Sequence, residues 1–413
     1  MLILLFEKHL IWSGSDAVGR TTYYYYDDRI TWAVLIVAAI WIAWLLIRRH
    51  RLSRAQQSSG RKPVPRRVVR LKEELSSKYL ATSSSNLHAI GIGLGADDNY
   101  CIQFFVSDAT EELCPDAGAT KLPESYKGVP LLLVECPRAT LAATVAADLQ
   151  QTVQTGLDLR EYQQVIVGGV SGANMNLAGQ NGTLGFFCRS RSWTNRSVYV
   201  LSNSHVLVDA QGVPPRDTDL IVQPSPGETD EGQPIGTLTS YLPLRFSNPN
   251  YPTTNLNAVA NYMDAAIATL NSGQLYQAVI PWIGAVRGYL LRQNVVPGVR
   301  VRKVGRTTGF TAGYITSVRV NAWITTSYGQ SAYFKDQFMI EPASPYADFV
   351  LNGDSGSLVV EPSNRAIGLI CARGYVERRV PSGGGTVTVI SSYALTNPIS
   401  QILDKFGIDL LTY

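Results

Sequence analysis

The stretch "LNGDSGSLVV" (Leu351–Val360) decides how the rest of this chain is read. A serine hydroxyl is a poor nucleophile until a base takes its proton, and the oxyanion it then creates needs hydrogen-bond donors close by. Glycine on both sides of Asp354-Ser355 permits a tight loop in which the Gly353 and Ser355 amides point into one hole. Ser355 is therefore the candidate nucleophile. The same residues also suit a plain turn between strands, so the case turns on whether a base and an orienting acid are present.

The base is found by census. Four histidines exist, of which His9 and His50 flank an apolar run and His88 lies in a Gly-rich stretch near the amino-terminal third. His205, in "YVLSNSHVLVD", is left as the histidine of the region that holds Ser355. An acid buried beside it would hold the ring's tautomer and stabilise the imidazolium. Asp209, Asp217, Asp219, Asp230 and Asp264 lie between His205 and Ser355. Asp264 alone precedes an apolar strand, "MDAAIATL", where an unpaired charge would be costly, and it is the expected orienter. The order His, Asp, Ser draws on three separate strands.

The surroundings are β-rich. From about Val165 short runs such as "GTLGFFCRS", "DLIVQPSPG", "GSLVVE" and "TVTVISSYAL" alternate with Gly, Asn and Pro turns, until "NPISQILDKFGIDLL" (Asn397–Leu411) closes the chain as a helix. This pattern predicts a sandwich or a pair of barrels. At 413 residues, 45% apolar and 16% charged, the composition is that of a globular protein and not a disordered one. The five cysteines include no C-x-x-C spacing, so no disulfide framework, metal site or cofactor is expected.

His205 in "SNSHV", Asp264 in "DAAIA" and Ser355 in "GDSGS" resemble the triad of chymotrypsin-like serine peptidases. The resemblance implies two six-stranded antiparallel barrels, at about 165–290 and 291–413, with the site between them. It is closer still to the bacterial and plant peptidases related to the plant narrow-leaf protein. Those carry a small "GIGIG"-type module, "GTLG" before the histidine strand, a "QP" loop and "GRTTG" in the second barrel. Here these match Gly91–Gly95, Gly182–Gly185, Gln223–Pro224 and Gly305–Gly309. The resemblance also implies an oxyanion hole from Gly353 and Ser355, a specificity pocket touching Phe349, Cys371 and Arg373, and a strand "ICARGY" (Ile370–Tyr375) that pairs with substrate backbone. Phe349 stands where trypsins carry an acidic residue, so a Lys/Arg preference is not expected. "IVGG" (Ile166–Gly169) matches the freed amino terminus of secreted relatives, which inserts beside the residue equivalent to Asp354. The bond before it follows "EYQQV" with no Lys or Arg, and the stretch is read as an ordinary first strand.

Ahead of the protease, 76–164 read as a small α+β module. Arg70–Leu80 and "TLAATVAADLQQTVQ" (Thr140–Gln154) have helical spacing, and "HAIGIGLG", "YCIQFFVSD" and "VPLLLVEC" have the texture of strands. "GIGLGA" opens no helix and is not read as a nucleotide loop. Residues 49–75 read as a basic linker. Residues 30–48 read as a transmembrane helix, since "ITWAVLIVAAIWIAWLLI" (Ile30–Ile47) carries no charge and would span about 27 Å. Ten Lys/Arg follow it between Arg48 and Lys72, against three in the 29-residue tail, which places that tail outside and the protease in the cytoplasm.

The expected protein is thus mainly β: a chymotrypsin-like double barrel with a small α+β module and one membrane anchor, acting as a serine endopeptidase. Its partners would be a protein or peptide substrate and the membrane through 30–47; no nucleic acid is expected, and a homo-oligomer is open. The alternatives are a catalytically silent protease-fold scaffold, or an envelope quality-control protease of inverted topology.

Overall fold

The computed structural model describes residues 8–15, 21–27, 61–80, 86–111, 122–141, 144–145, 157–177, 180–208, 219–228, 231–247, 255–326, 329–382 and 385–412. The expected membrane segment, 30–48, lies outside them. No helix among the described residues is long and apolar enough to cross a membrane. Residues 1–60 form a unit of their own. In it Lys8–Ser15 and Thr21–Asp27 pair as an antiparallel hairpin, so "TTYYYYD" is a strand and not an unstructured tail.

The remainder is mainly β and contains two closed antiparallel barrels. In the first, Phe186–Ser190 pairs with Val198–Ser202, which pairs with Ala266–Leu270, then Gln233–Tyr241, Leu220–Gln223 and Ala173–Asn174. A bridge between Ser171 and Thr183 joins the last member back to the first. The second ring runs Arg300–Gly305, Gly309–Thr325, Ser331–Pro342, Gly385–Pro398, Ala366–Ser382 and Leu358–Val360, and closes on Arg300–Gly305. Closure removes the unpaired edges that an open sheet of this size would expose. The chain then returns: Ile399–Phe406 is a helix ended by Gly407 in the left-handed region (φ 63°), and Ile408–Leu410 adds to Phe186–Ser190 in the first barrel.

The residues expected to form a separate module share a sheet and a core with the second barrel. Leu87–Leu94 pairs with Gly309–Thr325, and Tyr100–Val106 and Val129–Glu135 continue outward, the latter two in parallel. Val68, Leu71 and Leu75 recur at helical spacing on Arg66–Tyr79 and bury one face against Ile90, Phe104 and Trp323. Glu73 fixes that helix through Lys335 at 3.2 Å and Asn321 at 3.2 Å, and Trp323 Nε1 donates to the Leu80 carbonyl at 2.9 Å. The helix begins at Arg66, so the end of the expected linker is folded. The glycines of "GIGLG" serve strand contact: a Cβ at Gly93 would come within 2.3 Å of the Gln103 side chain.

The expected helix at Thr140–Gln154 is not formed at its start. Thr140–Leu141 and Thr144–Val145 are strands, each paired to a different edge; residues 146–156 lie outside the described residues. Three of these four residues are β-branched, and two sheet edges with unpaired amides and carbonyls outcompete a helical spacing of apolar residues.

His88 shows how tightly this region is sealed. Its Nε2–H donates to the Cys136 carbonyl at 2.8 Å, and burial pushes its pKa down to about 4 from the ordinary 6.5. In the unfolded chain the ring takes its proton first. Stability should therefore fall as the pH drops from about 6.5 to about 4, by on the order of 3 kcal/mol. Urea unfolding across that range is expected to show the slope in wild type and a flatter one in His88→Gln; equal slopes would refute the assignment.

Candidate active site

Asp264 and His205 come together at the mouth of the first barrel, both fully buried. The strand Val198–Ser202 ends at Asn203, a four-residue helix Ser204–Leu207 turns the chain inward, and this turn carries the imidazole. Its Nδ1 contacts Asp264 Oδ2, and the His205 backbone amide donates to Asp264 Oδ1 at 3.2 Å. The carboxylate cannot rotate away. Its own amide donates to Asn397 Oδ1 at 3.1 Å, and its carbonyl accepts from Asn203 Nδ2 at 2.7 Å and Asn397 Nδ2 at 3.0 Å. With the acid on Nδ1, the proton sits there and Nε2 keeps its lone pair. Nε2 is buried and has no hydrogen-bond partner among the described residues.

Ser355 lies in the turn before Leu358–Val360, also fully buried, and its Oγ likewise has no partner among the described residues. Two threonine bonds hold this turn against the first barrel. Thr183 N–H donates to the Ser355 carbonyl at 2.8 Å, and Thr183 Oγ1 donates to the Gly353 carbonyl at 2.8 Å. Gly356 N–H donates to the Ile370 carbonyl at 2.9 Å on the second barrel. The Gly353 and Ser355 amides themselves donate to nothing among the described residues, as a hole for an oxyanion requires. Gly353 has φ 94°, and a Cβ there would sit 2.5 Å from Thr307 Oγ1, so only glycine fits this turn.

Asp354 pins the loop from below. Its carboxylate accepts from Thr307 N–H at 2.9 Å, Thr308 N–H at 3.2 Å, Thr308 Oγ1 at 2.7 Å and Leu351 N–H at 3.0 Å, and pairs with Lys303 Nζ at 3.2 Å. Burial alone would raise its pKa. Lys303 and the amides overcome that and hold the carboxyl below its ordinary value. Thr307 and Thr308 belong to "GRTTG", and Thr183 belongs to "GTLG", so both motifs act as the nucleophile loop's supports. Lys303 was missed, because a lysine in "VRKVG" reads as a surface strand residue. It also takes the position that a freed amino terminus would need. Ile166 is an internal residue whose amide donates to Leu275 at 3.0 Å and whose carbonyl accepts from Gln277 at 2.8 Å.

The three expected pocket residues fare differently. Phe349 is fully buried in the core shared with Ile315, Phe338 and Val359. Cys371 is fully buried with Sγ 3.4 Å from the Leu395 carbonyl, and burial pushes its thiol well above the usual range, so it is an inert packing group. Arg373 reaches the rim: Nε donates to Asn352 Oδ1 at 2.6 Å, and its guanidinium stacks 4.8 Å from the Tyr375 ring. The four described cysteines are free and buried, and no metal-ligating cluster is present among the described residues.

Replacing Lys303 by Met would leave Asp354 buried without its counter-charge. Such a break costs about 3–5 kcal/mol, and Asp354→Asn added to it should recover part of the loss. Urea midpoints of the two variants check this; a loss under about 1 kcal/mol for Lys303→Met would sink the pinning role.

No family model and no curated protein matches the chain. Solved structures similar to it include Thermobifida fusca protease A, at 18% identity over 60% of this chain and 100% of that one, with a TM-score of 0.36. A glutamic-acid-specific serine protease described as using a histidine triad in substrate binding gives 16% identity, 60% and 100% coverage and a TM-score of 0.37. Cellulomonas bogoriensis chymotrypsin gives 16%, 60%, 98% and 0.34. Likenesses this distant carry no weight alone; the double-barrel, chymotrypsin-like fold is read from this chain's own strand pairings, which close two rings.

Proposed function

We propose that this protein is a serine endopeptidase that works through His205, Asp264 and Ser355. One observation carries the reading: a histidine clamped to a buried carboxylate presents an unpartnered Nε2, and a serine Oγ with no partner stands in a turn whose two amides are unused. In the reaction His205 Nε2 takes the Ser355 proton as Oγ attacks the scissile carbonyl carbon. The Gly353 and Ser355 amides hold the oxyanion. His205 then protonates the leaving amine as the C–N bond breaks, and water releases the acyl group by the same route. No metal or organic cofactor enters. The closer kinship with narrow-leaf-like peptidases rests on "GTLG", "QP" and "GRTTG". Anchoring by residues 30–47 with a cytoplasmic catalytic part rests on the apolar run and the basic residues after it.

Prolonged exposure of the full-length protein to a fluorophosphonate is expected to label Ser355 in wild type and nothing in Ser355→Ala. Asp264→Asn keeps the shape but leaves the wrong tautomer, and should slow labelling and peptide hydrolysis by on the order of 10⁴. A wild type that never takes label at Ser355 would move the assignment to a protease-fold scaffold.

A further inference from the structure

The two short strands at Thr140–Leu141 and Thr144–Val145 bracket Ser355. The first lies antiparallel on Ala366–Ser382, with Thr140 opposite Arg373 and Leu141 opposite Ala372. This is the "ICARGY" stretch expected to pair with substrate backbone. Leu358–Val360 covers the same edge only as far as Leu369. Beyond that point the chain's own segment takes it up, and its far side is fixed by Thr325 N–H donating to Ala139 at 3.0 Å. The second strand lies antiparallel on Gln180–Asn181.

These two edges stand on opposite sides of the nucleophile. The peptide unit between Ser355 and Gly356 sends its carbonyl to Thr183 and its N–H to Ile370. In a trans peptide those two groups point in opposite directions. Thr183 follows Gln180–Asn181 by two residues, and Ile370 precedes Ala372–Arg373 by two. The connection from Leu141 to Thr144 is three residue steps, at most about 11 Å when extended. It therefore crosses from one side of Ser355 to the other within the span of a bound peptide. Consistent with this, Ser355 and His205 are fully buried with Oγ and Nε2 unpartnered, a closed state for groups that must meet a substrate.

We infer that Thr140–Val145 is a resident substrate mimic: it fills the two peptide-binding edges of the cleft, one on each side of Ser355, and keeps the site shut in the intact chain. The occupant also names the class of peptide the edges accept. It is an extended strand of uncharged, non-aromatic residues, Thr-Leu-Ala-Ala-Thr-Val. Main-chain pairing supplies the affinity, as in other strand-addition complexes. The inference rests on the reading of Ser355 and His205 as the catalytic pair.

The test compares fluorophosphonate labelling rates of full-length wild type, Thr144→Pro, Leu141→Ala and Ser355→Ala. Proline removes the Thr144 N–H from the Gln180–Asn181 pairing, and Leu141→Ala loosens the other strand by a milder change. Both variants are expected to label at least tenfold faster than wild type, and free Thr-Leu-Ala-Ala-Thr-Val peptide to slow them again. A Ser355-dependent break of the chain between Leu141 and Thr144 would support the same inference. Equal rates in wild type and both variants, with Ser355→Ala blank, would overturn it and leave the peptidase reading intact. No label in any variant, with cooperative melting retained, would remove both.

Discussion

A carboxylate sealed in a dry interior must be answered by charge and hydrogen bonds, and Asp354 is such a group. Its position immediately before Ser355 makes the answer structural. Lys303, Thr307, Thr308 and Leu351 converge on it, and the turn they hold is the one whose amides face the reacting serine. The second barrel therefore needs its "VRKVGRTTG" hairpin where it is. The first barrel is tied to the same turn through Thr183. Two rings of strands with separate cores meet on a single loop because the loop's polar groups are divided between them.

Asp264 obeys the same rule. It is held by Asn203 from the histidine turn and by Asn397 from the last strand of the second barrel. A carboxylate fixed on its backbone has one direction left for its oxygens, which is toward His205. The imidazole inherits its tautomer from that restriction. What the site contributes to chemistry is orientation established before any substrate arrives.

Much of this was legible in the sequence, for identifiable reasons. Ser355 was marked by flanking glycines, His205 by being the remaining histidine of its region, and Asp264 by preceding an apolar strand. Each is a local signal, and the structure brings Asp264 and His205 into contact and sets Ser355 in a turn with unused amides. Lys303 gave no local signal, since nothing in "VRKVG" says that the lysine faces inward to a residue fifty positions away. Thr140–Val145 misled for the complementary reason. Leu141 and Val145 are spaced for a helix, and periodicity cannot report that two sheet edges elsewhere lack partners. The same blindness hid the continuity of the Gly91–Gly95 strand with the second barrel. Composition marks where texture changes, whereas strand pairing follows unpaired edges.

The return of the chain's end to its first barrel has a consequence for biosynthesis. Asn397, with its bonds to Asp264, and Ile408–Leu410, the strand beside Phe186–Ser190, are made after every catalytic group has left the ribosome. A nascent chain that already carries His205, Asp264 and Ser355 still lacks the clamp on its acid and the outer strand next to its histidine hairpin. Completion of the polypeptide and completion of the site are thus one event, and unfinished chains in a polysome are spared from one another.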